Sequence, residues 1–86
     1  MRENVLINNE KGLHARPAAG LIQEAMRFEA DIFLVAEDKR ANAKSIMSVM
    51  MLGVKGGAAV ALEAEGVDAE GALRHLKEYI ETQLED

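Results

Sequence analysis

A histidine and an arginine stand two positions apart in Gly12-Leu13-His14-Ala15-Arg16-Pro17-Ala18-Ala19, directly ahead of residues suited to begin a helix. Imidazole is neutral over much of the physiological range, so one ring nitrogen can attack an electrophilic phosphorus without a separate base. A residue just outside a helix N-terminus faces unpaired backbone donors and the positive end of the dipole, which together favour a bound dianion. The same field disfavours imidazolium. Pro17 has no amide hydrogen, so the main-chain donors are residues such as Ala15, Arg16 and Ala18, and the Arg16 guanidinium adds a charge-assisted contact. Small side chains at Ala15, Ala18 and Ala19 leave the approach open. Read alone, so short a string also fits an exposed loop histidine beside an ordinary first-turn arginine.

The elements that position this pair follow from periodicity. Val5-Leu6-Ile7 is a short apolar run, β-branched at two positions, and reads as a buried first strand. Ala18, Leu21, Ile22, Ala25 and Met26 follow the spacing of one helical face, with Pro17 in the first turn. Gly20 inside that helix costs about 1 kcal/mol relative to alanine unless something packs against the backbone there. Ile32-Phe33-Leu34-Val35 is a second strand, and Glu37-Asp38-Lys39-Arg40 reads as the turn into a third around Ala41-Asn42-Ala43. Ser45 and Gly53 bracket a two-turn helix over Ile46–Leu52. Val60–Glu65 alternates as a fourth strand with one buried face. Gly66 ends it, Asp68 is placed as an N-cap, and Ala69, Ala72, Leu73, Leu76, Ile80 and Leu84 form the stripe of a closing helix. Glu70 with Arg74 and Lys77 with Glu81 are four-apart charge pairs on its wet side. The order βαββαβα predicts an α+β open-faced sandwich, a four-stranded antiparallel sheet with three helices on one face.

Eighty-six residues, 49% of them hydrophobic, suit one domain spanning 1–86 with a single core. Ten basic against fifteen acidic side chains give a net charge of -5, which argues against nucleic acid or an anionic membrane surface as a partner. Cysteine is absent, which removes disulfides and thiolate chemistry. The apolar run near Met1 is too short for a signal-peptide core or a spanning helix, so a cytoplasmic location without membrane insertion is expected. Two distant histidines build no metal site, and His75, off the apolar stripe beside Arg74, Lys77 and Glu78, reads as a solvated residue.

The second informative segment is Asn42-Ala43-Lys44-Ser45-Ile46-Met47. Ser45 reads first as an N-cap. Ile46, Met47, Met50 and Met51 cannot all be buried on a two-turn helix, and Met47 and Met50 are the expected exposed pair, adaptable enough for several partners.

Together, Gly12–Ala18 and Asn42–Met47 resemble HPr, the histidine-containing phosphocarrier of the bacterial phosphoenolpyruvate-dependent sugar phosphotransferase system, and the similarity covers essentially the whole chain. The resemblance implies a monomeric carrier without cofactor, not an enzyme, in which His14 takes a phosphoryl group on Nδ1 from enzyme I and passes it to the IIA domain of a sugar permease. Arg16 and the local amides of Ala15, Arg16 and Ala18 steady the group, and Ile46, Met47 and Met50 meet partners. It further implies that Ser45 is a regulatory phosphorylation site for HPr kinase/phosphorylase, the modified form serving a catabolite-control transcription factor. Ser48 replaces a glycine common in kinase-regulated relatives, and Gly20 a larger residue. A nitrogen-branch paralogue would use the same chemistry with other partners. A regulatory module binding a small anion is the reading from a different class, and a paralogue acting only through Ser45 is disfavoured because members of that type lack the histidine.

Overall fold

The computed structural model describes residues 1–84, and in it alternation and helical stripes produce β1 (Arg2–Leu6), α1 (Ala15–Ala25), β2 (Asp31–Ala36), β3 (Lys39–Asn42), α2 (Ile46–Met51), β4 (Ala59–Glu65) and α3 (Ala69–Gln83). The expected order βαββαβα is met. The strands form one sheet in the order β1-β4-β2-β3, every pair antiparallel. Because side chains alternate along a strand, Val5, Ile32, Leu34, Val60, Leu62 and Ala64 join one core, which the stripes Ala18–Leu21–Ala25 and Ala72–Leu73–Leu76–Ile80 complete. The opposite face carries charge: Glu63 pairs with Arg2 at 2.7 Å and with Arg40 at 3.2 Å, and the Arg40 guanidinium lies 3.6 Å over the Phe33 ring. Ion pairs this exposed add at most about 1 kcal/mol each.

Several expectations are corrected. The first strand begins at Arg2, and Leu6, expected inside, is exposed because it lies on the face opposite Val5. The turn between β2 and β3 is confined to Glu37-Asp38, with Glu37 at φ +57°, so Lys39 and Arg40 pair with Ala36 and Val35 instead of turning. Met26, placed on the apolar face of α1, is its exposed C-cap. Gly20 is explained by Tyr79: a Cβ there would collide with the tyrosine hydroxyl of α3. The glycine therefore gives up helix propensity to leave room for the end of the Tyr79 side chain.

Asp68 precedes α3 as expected, but its side chain makes no capping bond. Its carboxylate instead accepts hydrogen bonds from the backbone N–H groups of Glu29, at 2.9 Å, and Ala30, at 2.8 Å, pinning the chain where it leaves α1. These bonds, that of Glu29 foremost, hold the carboxyl below its ordinary value of 3.8. A depressed folded-state value means that the contribution is complete above 3.8 and is lost as pH falls below it. Asp68→Asn is therefore expected to melt below the wild type at neutral pH, with the gap closing under acid. A gap independent of pH would contradict this role.

Candidate functional site

His14 is the N-cap of α1, with extended backbone (φ -79°, ψ -172°). The chain reaches it through a tight bracket: Asn9 Nδ2 donates to the Gly12 carbonyl at 3.0 Å, and the Gly12 N–H donates to Asn9 Oδ1 at 3.1 Å. Gly12 is at φ +78°, and a Cβ there would strike the backbone of Val54 and Lys55, so glycine is required. The Leu13 N–H then bonds to the Val54 carbonyl at 3.0 Å, and the Leu13 side chain is buried. Anchored on one side by Leu13 and on the other by buried Pro17, the histidine is displayed from rigid backbone.

The two nitrogens of the His14 ring are not equivalent. Nε2 is shut away from solvent, and among the described residues it is the one buried side-chain nitrogen or oxygen without a hydrogen-bond partner. The ring makes no capping bond, and Nδ1 is its accessible nitrogen. Keeping the proton on Nε2 leaves the Nδ1 lone pair outward, as a nucleophile needs. The first turn of α1 contains no acidic residue, so no carboxylate on that turn opposes a phosphoryl dianion at the helix end.

Ala15 and Arg16 lie exposed beside the ring, ahead of the first i→i-4 bond of the helix. That bond runs from the Ala18 N–H to the His14 carbonyl at 2.9 Å. Ala18 is also fully buried, so it leaves the set of phosphate donors proposed from sequence. Helix geometry commits the fourth amide of the turn to the backbone.

Ser45 caps α2 as predicted: its Oγ accepts the Ser48 N–H at 3.3 Å. Ser45→Ala is expected to destabilise the chain by about 1 kcal/mol in urea titration, and an unchanged midpoint would count against the cap. On α2, Val49 alone is buried. Met47 and Met50 are exposed as expected, Ile46 is exposed as well, and Met51, at 74%, is the most exposed of the four. The apolar surface is thus wider than the pair Met47–Met50. Since α2 packs against α1, it belongs to the same side of the molecule as that helix.

His75 is not simply solvated. Its Nε2–H donates to Glu24 Oε1 at 2.6 Å, its ring stands 5.6 Å from that of Phe28, and Arg27 also pairs with Glu24 at 3.0 Å. The His75 bond, with Arg27 adding to it, holds the Glu24 carboxyl below its ordinary value. This link between α3 and α1 had no signature in spacing, because the partners are 51 residues apart. Among the described residues no group of three or more His, Asp or Glu could hold a metal ion, and no helix is long and apolar enough to cross a membrane.

Comparison with known proteins sets these features in a lineage. A family model described as the PTS HPr component phosphorylation site matches residues 1–82. The HPr-like protein Crh of Bacillus subtilis (strain 168) is 43% identical over 84 residues, spanning 98% of this chain and 99% of that protein. Phosphocarrier protein HPr of Mycoplasma capricolum is 40% identical over 82 residues, spanning 94% and 92%. The crystal structure of HPr-C-His from Thermoanaerobacter tengcongensis superposes with a TM-score of 0.93 at 44% identity, over 100% of this chain and 98% of that one. Two further neighbours are dimers. One is an HPr dimer from T. tengcongensis, with a TM-score of 0.79 at 45% identity, over 95% of this chain and 94% of that one. The other is B. subtilis Crh, described as a domain-swapped dimer, with a TM-score of 0.80 at 44% identity over 95% and 94%. By a match that runs from the first strand into the last helix, the chain belongs to the HPr family of phosphotransferase-system phosphocarriers.

Proposed function

We propose that this chain accepts a phosphoryl group from phospho-enzyme I on Nδ1 of His14 and delivers it to the IIA domains of sugar permeases. The observation that supports this most directly is the ring's asymmetry: Nε2 buried, Nδ1 open at a helix N-terminus. Arg16 and the amides of Ala15 and Arg16 steady the transferring group, and in-line transfer depends on positioning and charge stabilisation. Ile46, Met47 and Met50, joined by Met51, form an apolar landing surface for both partners. The chain works as a single cytoplasmic domain, a carrier and not a catalyst, with no cofactor.

A second role rests on the similarity to Crh, whose solution structure is described as that of the B. subtilis catabolite repression HPr. Ser45 is the residue for it, modified by HPr kinase/phosphorylase and then read by a catabolite-control transcription factor. The presence of His14 keeps the carrier role first. The dimers among the relatives add a second assembly state to test beside the expected monomer.

The deciding experiment is mass spectrometry of the intact chain after incubation with enzyme I and phosphoenolpyruvate, followed by addition of sugar-branch or nitrogen-branch IIA domains. Phosphoryl gain and then loss to a sugar-branch domain is the expected result. Delivery only to the nitrogen-branch domain reassigns the branch, and no labelling overturns the proposal.

A further inference from the structure

All five methionines of the chain lie at the surface, and none belongs to the core. Three of them share α2. Met47 and Met51 stand two residues to either side of Val49, the buried residue of that helix. Helical geometry therefore turns both away from the core, and they are 67% and 74% exposed. Met50, next to Val49, is less open at 41%. Three thioethers thus stand three and four residues apart on one short helix, where neighbouring side chains share a face. Cysteine is absent, so a hydroperoxide meets no thiolate on this chain, only thioether sulfur, which it converts to sulfoxide.

We propose that Met47, Met50 and Met51 form an oxidative modification site, at which a hydroperoxide turns the landing surface from apolar to polar and withdraws the chain from its partners without unfolding it. The site rests on the docking role proposed for that surface. In each step the thioether sulfur attacks the hydroxyl oxygen of the peroxide, and the S–O bond forms as the O–O bond breaks. The proton on the attacked oxygen passes to the departing one, which leaves as an alcohol or water. Sulfur is oxidised by two electrons and the peroxide reduced by two. The product is polar and chiral and disrupts a Met-rich contact, whose value lay in soft, adaptable packing. Reversal needs a methionine sulfoxide reductase and two thiols, which end as a disulfide while the oxygen leaves as water. The fold is spared because α2 is held by other groups: Val49 is buried, and Ser45 Oγ accepts the Ser48 N–H. Met1 and Met26 supply an internal comparison. They are exposed to a similar extent, 61% and 63%, but Met1 bonds to Ala64 at the end of β4, and Met26 caps the end of α1 remote from His14.

The test uses the full chain, treated with hydrogen peroxide, freed of oxidant, mapped by peptide mass spectrometry and then charged by enzyme I and phosphoenolpyruvate. Oxygen added to the α2 methionines is expected to raise the KM for the chain about tenfold and to leave kcat unchanged, the mark of lost docking with the chemistry retained. The thermal midpoint should not move, and reductase with dithiothreitol should return the KM. Met26→Leu should respond to peroxide as the wild type does, whereas Met47→Leu/Met50→Leu/Met51→Leu should give the same kinetics before and after treatment. An unchanged KM with the α2 sulfoxides in place overturns the proposal, as does a fall confined to kcat. Oxidation restricted to Met1 and Met26, a loss shared by the triple variant, or a loss that accompanies a lowered midpoint overturns it equally. If the triple variant does not fold, the reductase arm in Met26→Leu decides: a KM that stays high once the α2 sulfoxides are reduced overturns the site. An untreated chain that gains no phosphoryl group is a separate result, which overturns the carrier reading and this proposal with it.

Discussion

His14→Ala is expected to gain no phosphoryl group from enzyme I and phosphoenolpyruvate under conditions that charge the wild type completely. The loss is total because the substitution removes the proposed accepting atom, Nδ1, and the chain's other imidazole, His75, is held by Glu24. Arg16→Ala retains the acceptor and removes one positioned charge, so charging slows by about 100- to 1,000-fold, the usual effect of deleting a transition-state donor. Stability separates this from misfolding. The His14 ring makes no capping bond and keeps Nε2 buried without a partner, a desolvation cost of about 1–3 kcal/mol that alanine relieves. His14→Ala should thus melt no lower than the wild type. Phosphoryl gain that survives the substitution would remove His14 from the proposed role.

The largest effect on stability is expected at Leu62. This residue is fully buried on β4, the strand bonded to both β1 and β2, and it lies opposite Glu3 and Leu34. Leu62→Ala leaves a cavity where two strand pairings meet and should cost about 2–5 kcal/mol. Small domains hold about 5–15 kcal/mol in total, so the variant will approach the point of unfolding. A urea midpoint moved by less than a Leu-to-Ala exchange on the open face would show that the core is not centred on β4.

What could be read from the sequence divides along physical lines. The alternation in Val60–Glu65 and the stripe from Ala69 to Ile80 are local repeats, and they carry the element order and the buried face together. Lys39 and Arg40 look like turn residues because their propensity is polar; only pairing with Val35 and Ala36 makes them strand. Asp68 has the chemistry of an N-cap, yet it serves amides 38 and 39 residues away, and sequence spacing carries no such distance. Gly20 is visible as an anomaly, but its cause, the Tyr79 hydroxyl, is a side chain of α3 that spacing cannot set against α1. At the site, the residue types of His14, Arg16 and Ser45 and their helix-start positions are legible. The withdrawal of Ala18 and the exposure of Met51 need backbone geometry. Asn9 bounds the first strand by its residue type, but its two bonds to Gly12 exist only in the folded loop.

On the proposed assignment, a ring that opens to solvent at one nitrogen also governs how traffic would pass through the molecule. Donor and acceptor would have to come to the same atom from the same side, so neither could dock while the other is present. Charging and discharging would then alternate as two separate encounters, and proteins that receive the group would compete for one berth.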